Sequence, residues 1–132
     1  MRSVIISSVL LAILIIVISI NAYYVNSVST EMLDMTFSLP SEYNYITSLS
    51  RENIESCKTD INKLVKKWED NTLKISLASK YSDFERVNTA VYALKEYFFS
   101  EYYGDYITAR NRLISALEKQ KHNELPNFEN IF

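Results

Sequence analysis

From Val4 to Val25 the chain reads VIISSVLLAILIIVISINAYYV, twenty-two residues without a charge and with Leu, Ile and Val at the centre. As a helix this run is about 33 Å long, enough to cross the hydrocarbon of a bilayer. Arg2 precedes it, and Tyr23 and Tyr24 close its far end, where amphipathic rings favour the headgroup layer. No Lys or Arg occurs from Ser3 to Ser50, whereas Glu31, Asp34 and Glu42 do. Positive charge stays on the cytoplasmic side of a span, so this asymmetry places the N-terminus in the cytoplasm and everything after Val25 outside it. The expectation is a single-pass protein of the cell membrane, bound to lipid through its N-terminal helix.

A cleaved secretory signal is the competing reading, with Arg2 ahead of the apolar run and Ser19 or Ala22 as the small residue before the cut. Ile20 stands two residues before Ala22, where an A-x-A site needs a small side chain, and the apolar run is long for a signal. Either way the remainder is exported, as a secreted protein in the second case.

The exported part is poor in the residues that break helices. One glycine and two prolines in 132 residues compare with about nine and about seven at average usage. Gly104 alone cannot supply a phosphate-binding loop, a dinucleotide fingerprint or the tight turns of a β-sandwich. Cys57 and His122 are each single of their kind, so the chain has no internal disulfide and no Cys/His set for zinc, haem or an iron–sulfur cluster. Cys57 reads as a small, buried apolar residue or as the half of a disulfide between two copies. A net charge of −2 leaves no basic footprint for nucleic acid. The acids sit in pairs such as Glu69-Asp70, and His122 lies beside Lys121, positions that capping and solvation explain. No catalytic residue and no cofactor follows, and the chain does not read as an enzyme.

Helices account for what is left. Val25, Val28, Met32, Met35, Leu39, Tyr43 and Ile46 recur at three and four, continuing the span outward as an amphipathic stalk until Pro40 forces a kink or a break near Leu39 capped by Ser38 or Ser41. Ser50 reads as the N-cap of a second helix with Ile54, Cys57, Ile61, Leu64, Val65 and Trp68 on one face, reaching Ala78 as the stripe shifts to Leu73, Ile75 and Leu77. Ser82-Asp83-Phe84-Glu85 fits a capping box opening a third, with Phe84, Val87, Val91, Leu94 and Phe98 inward. Gly104-Asp105 reads as the turn before a fourth, which buries Tyr106, Ala109, Leu113, Ala116 and Leu117, holds Arg110 off that face and stops at Pro126. Phe128, Ile131 and Phe132 are expected to dock the tail. The fold class is therefore all-α: a transmembrane helix continuing into an exported antiparallel three- to four-helix bundle. It divides into an anchor (1–25), a stalk and first bundle helix (26–49), the antiparallel helices (50–125) and a docked tail (126–132).

Val65-Lys66-Lys67-Trp68-Glu69 and the ending Leu125-Pro126-Asn127-Phe128-Glu129-Asn130-Ile131-Phe132, joined to a short N-terminal span, resemble the bacterial family catalogued as domain of unknown function 4363. That resemblance implies a membrane-anchored helical protein and brings no activity and no catalytic residues.

Six aromatic side chains fall between Tyr97 and Tyr106. Phe98, Tyr102 and Tyr106 share a helical face and suit the core; Phe99 and Tyr103, four apart, lie on another and form the candidate partner surface. The function expected is that of a membrane-tethered structural or protein-interaction module, binding a partner or its own copies; the alternative is a ligand-binding or sensor bundle that works through a partner membrane protein.

Overall fold

A computed structural model of the chain describes residues 1–123. Those residues form five helices and no strand: α1 (Arg2–Phe37), α2 (Tyr43–Thr47), α3 (Arg51–Ala78), α4 (Tyr81–Phe99) and α5 (Tyr103–Asn123). The sequence-based all-α reading holds. The docked tail expected at 126–132, and the ending on which the family resemblance leans, lie outside the described residues.

The anchor and the stalk are one unbroken helix. From Arg2 to Asn21 every residue of α1 is exposed except Ile15 and Ser19, which are half-buried. From Ala22 onward the helix turns a buried stripe inward through Val25, Val28, Ser29, Met32, Leu33 and Thr36. It stops just short of Leu39-Pro40, because residues preceding a proline are pushed out of the helical region and the ring offers no N–H. The expected break is therefore present, but its caps differ. The Ser38 hydroxyl donates to the Met35 carbonyl at 2.7 Å, and α2 starts from Glu42 without a side-chain cap. Leu39 and Ile46, both buried, close this end of the core.

α1, α3, α4 and α5 make a four-helix bundle in which α1 packs between α3 and α5 and α4 completes the ring. Cross-helix bonds fix the directions. Tyr24 donates to Asn71 and Lys67 pairs with Glu31, so α3 runs antiparallel to α1. Gln120 donates to the Ser29 hydroxyl at 3.0 Å, while Arg110 near the other end of α5 donates to the Phe37 carbonyl, so α5 is antiparallel to α1 as well. The α4–α5 hairpin thus lies beside the α1–α2–α3 connection, far from the apolar segment, and the α3–α4 corner lies on the apolar segment's side.

The core is the set of stripes read from the sequence: Ile61, Leu64, Val65 and Trp68 from α3, Val87, Val91, Leu94 and Phe98 from α4, Tyr106, Leu113 and Leu117 from α5. Trp68 is fully buried, stacked against Phe84 at 5.3 Å between centroids, and its indole N–H donates to Asn88 Oδ1 at 2.8 Å. That bond satisfies the one polar atom that burial would otherwise strand.

Several local expectations need correction. Tyr102 does not join Phe98 and Tyr106 in the core: it lies in the corner between α4 and α5 and is 62% exposed. Gly104 is not a turn residue: it sits inside the first turn of α5 with no positive φ, and Glu101 takes the left-handed conformation instead, at φ 66°. Ser82 is not an N-cap, since α4 begins at Tyr81 with Lys80, two residues before Ser82, as its N-cap, and carries Asp83 buried in its first turn, where the helix dipole favours an acid. The α3 stripe does not shift to Leu73 and Leu77, which are 73% and 80% exposed although Ile75 is fully buried. Arg110 is not held off the buried face. It is buried against the C-terminal end of α1, whose last turn has no basic residue of its own to meet its carbonyls.

Candidate interaction surface

The two residues singled out for partner binding come from different helices. Phe99 is the last residue of α4 and Tyr103 the first of α5, with the corner Ser100–Tyr102 between them. Spacing of four therefore does not put them on one helical face; the hairpin brings them to the same end of the bundle. Lys58 of α3 links them electrostatically, since its ammonium lies 5.5 Å from the Phe99 ring centroid and also acts on the Tyr103 phenol.

Their surroundings differ. Phe99 is about one third exposed, and Lys95 also lies 5.5 Å from its ring, so one ring has two ammonium groups beside it. A cation over an exposed ring contributes about 0.5–1 kcal/mol, which holds the lysine stems beside the ring and gives the patch positive charge. Tyr103 is half-buried with its ring edge-on to Phe98 at 5.4 Å between centroids. Burial pushes its phenol above the usual tyrosine range; Glu101 and Cys57 add to this and Lys58 opposes it. Phe99 thus reaches solvent, and Tyr103 is mostly a wall of the core. Beside Phe99 lies a shallow hollow of about 400 Å³ lined by Tyr92, Lys95, Glu96 and Ser100, with Tyr92 donating to Glu69 at 3.1 Å.

A larger feature was not anticipated. Along α4 and α5 runs an open trough of about 610 Å³ whose floor is Ala90, Ala93, Ala109 and Ala116 and whose rim holds Arg86, Arg112 and Lys119, with Asp105 at one end. Short side chains leave the space, and long basic ones stand over it. The signal was in the sequence: Ala90 and Ala93, then Ala109 and Ala116, recur at helical spacing opposite one another across the hairpin.

A third hollow, of about 510 Å³, sits under the α1–α2–α3 connection and includes Cys57 and Asp60. Cys57 is half-buried and free. Burial pushes its thiol above the ordinary value and the Asp60 carboxylate adds to the shift. A thiol held protonated is a poor nucleophile and a poor metal ligand. His122 is exposed at the end of α5. Among the described residues no three His, Cys, Asp or Glu side chains converge as a metal site would require.

No family model, curated protein or solved structure matches this chain.

Proposed function

We propose that this chain is a membrane-tethered, extracytoplasmic helical bundle that acts as a structural or protein-interaction module. One observation carries the reading: α1 leaves an apolar segment of about twenty residues exposed and then, without a break, becomes a core helix of the bundle. Exposed Ile, Leu and Val at 48–66% along Val4–Val17 are stable in lipid and not in water. Removal by a signal protease requires an extended chain at the cut, whereas Ala22 lies inside the helix and is packed. This favours an anchor that is retained. The orientation proposed, N-terminus inside, follows from the absence of Lys and Arg between Ser3 and Ser50. Membership of the bacterial family catalogued as domain of unknown function 4363 belongs to the same proposal and rests on sequence likeness alone.

Interaction is favoured over ligand sensing by shape. The α4–α5 trough runs beside both helices, from Arg86 to Tyr97 and from Asp105 to Lys119, a length that suits an extended segment of a protein partner, and its basic rim selects an acidic one. Phe99 with Lys58 and Lys95 offers a second point of contact at the outer end of the bundle.

The test uses intact cells and then their membranes. In a Cys57→Ser background, Asn44→Cys is expected to react with a membrane-impermeant maleimide from outside, and the full-length chain to stay in the membrane after alkaline extraction. A shortened chain in the medium, or an Asn44→Cys labelled only after lysis, overturns the address. From detergent-solubilised membranes, a partner copurifying with the native chain is expected to be lost with Arg112→Glu and weakened by Phe99→Ala, with melting temperature nearly unchanged in both. Unaltered capture by both variants removes these surfaces from the reading.

A further inference from the structure

We infer that the α3–α4 corner is a second membrane contact, seated in the lipid headgroup and upper acyl region beside α1 through Leu73, Leu77 and Tyr81. The inference rests on the proposed span and adds a lipid-binding surface to the exported bundle itself.

Register gives the depth. Tyr24 meets Asn71, Lys67 meets Glu31, and the Lys74 ammonium lies 5.6 Å from the Tyr24 ring centroid, so α3 descends past α1 with Asn71 to Lys74 level with Tyr24. Leu77 lies three residues beyond Lys74, and at 1.5 Å per residue it stands about 5–9 Å below Tyr24, level with residues of the apolar run. Burial on α1 agrees: Ile15 and Ser19 are the half-buried residues of the otherwise exposed segment, and they share the face that continues to Ala22. An interfacial element sinks its apolar face about 5–10 Å into the headgroup and acyl boundary.

The chemistry at that depth fits lipid. Leu73, Leu77 and Tyr81 are 73%, 80% and 76% exposed, and Tyr23 on α1 is 77% exposed. Leu73 and Leu77, four apart, share one helical face. Tyrosine is favoured at the membrane interface. From Asn71 to Ser82 the chain has Lys74 and Lys80 and no acid, in a protein whose net charge is negative. Cations beside an apolar tip are what an anionic headgroup layer attracts.

The experiment places one environment-sensitive fluorophore at a time on the full chain (Cys57→Ser) at Ile13→Cys, Leu77→Cys or Asn44→Cys, reconstituted into phosphatidylcholine–phosphatidylglycerol vesicles. Lipids brominated high on the acyl chain are expected to quench the Leu77 label several-fold more than the Asn44 label, with iodide in the outer buffer showing the reverse order. A Leu77 label as open to iodide as the Asn44 label, while the Ile13 label is quenched by lipid, overturns this inference alone. A Leu77 label shielded from both quenchers assigns the corner to a second copy and overturns it too. An Ile13 label that lipid does not quench removes the span, and this inference with it.

Discussion

Tyr106 shows how one side chain ties together the outer end of the bundle. It is fully buried, its ring lies edge-on to Phe98 at 5.0 Å between centroids, and its hydroxyl donates to the Pro40 carbonyl at 2.8 Å. The proline that ends α1 thus has its carbonyl answered from α5. Burial pushes the phenol far above the usual tyrosine range, with Arg110 working against that shift and Cys57 adding slightly to it. In the unfolded chain the phenol titrates near 10. Below that pH both states keep the proton and the stabilisation is complete; above it only the unfolded chain releases the proton, so stability falls as pH climbs. Tyr106→Phe removes both the bond and the titration. The variant is expected to be about 1 kcal/mol less stable at pH 8, and the gap to close and then reverse as pH rises past about 10. Denaturant unfolding of both chains in the same detergent, followed by helical circular dichroism, measures it. A gap that stays constant to pH 11 would show that the phenol is solvated in the folded protein.

Among the elements, α3 was the most legible and the α4–α5 corner the least. Ser50 does cap α3, its hydroxyl accepting from the Asn53 N–H at 3.2 Å, and the helix ends at Ala78 as expected, although the Leu73 and Leu77 stripe read at its end is exposed. The reason is local: a cap, a long regular stripe and a lysine-rich opposite face agree with one another. At the corner, local and tertiary signals compete. Gly-Asp reads as a turn by propensity, yet starting α5 at Tyr103 sets both Tyr103 and Tyr106 edge-on to Phe98, and that packing draws Gly104 into the helix. The same competition hid the candidate surface, because Phe99 and Tyr103 are neighbours through a hairpin and not through helical spacing. It also hid Arg110, whose partner is a carbonyl 73 residues away. A consequence separates the two readings of the glycine. A turn glycine with positive φ resists replacement, but a Cβ on Gly104 meets nothing within 4 Å. Gly104→Ala is therefore expected to stabilise the protein by about 0.5–1 kcal/mol, through lower entropy of the unfolded chain and better helix propensity. Thermal or denaturant unfolding reads the sign directly, and a loss of stability would return Gly104 to the turn.

For the molecule as a whole, the anchor is not an appendage to a domain that folds without it. Val25, Val28, Met32 and Leu33 come from the same helix as the apolar run and are all buried, and Ser29 receives the amide of the buried Gln120 from α5. Four large apolar side chains at about 1.5–3 kcal/mol each are comparable with the whole net stability of a small domain. The bundle therefore closes only when α1 arrives, and the direction of α1 fixes the direction of every other helix. Because the α3–α4 corner lies on the side of the apolar segment while the α4–α5 hairpin and Phe99 lie at the opposite end, the two ends of the bundle differ in what they adjoin. Truncation tests the dependence. A chain beginning at Ala22 retains every buried residue of α1 and is expected to remain helical and to melt in one cooperative transition by circular dichroism. A chain beginning at Phe37 keeps α2 to α5 intact in sequence but leaves their inner faces open along the whole groove that α1 fills. It is expected to lose cooperativity and to bind a hydrophobic dye, the behaviour of a collapsed but unpacked state. A sharp transition in the shorter chain would show that α2 to α5 suffice without α1.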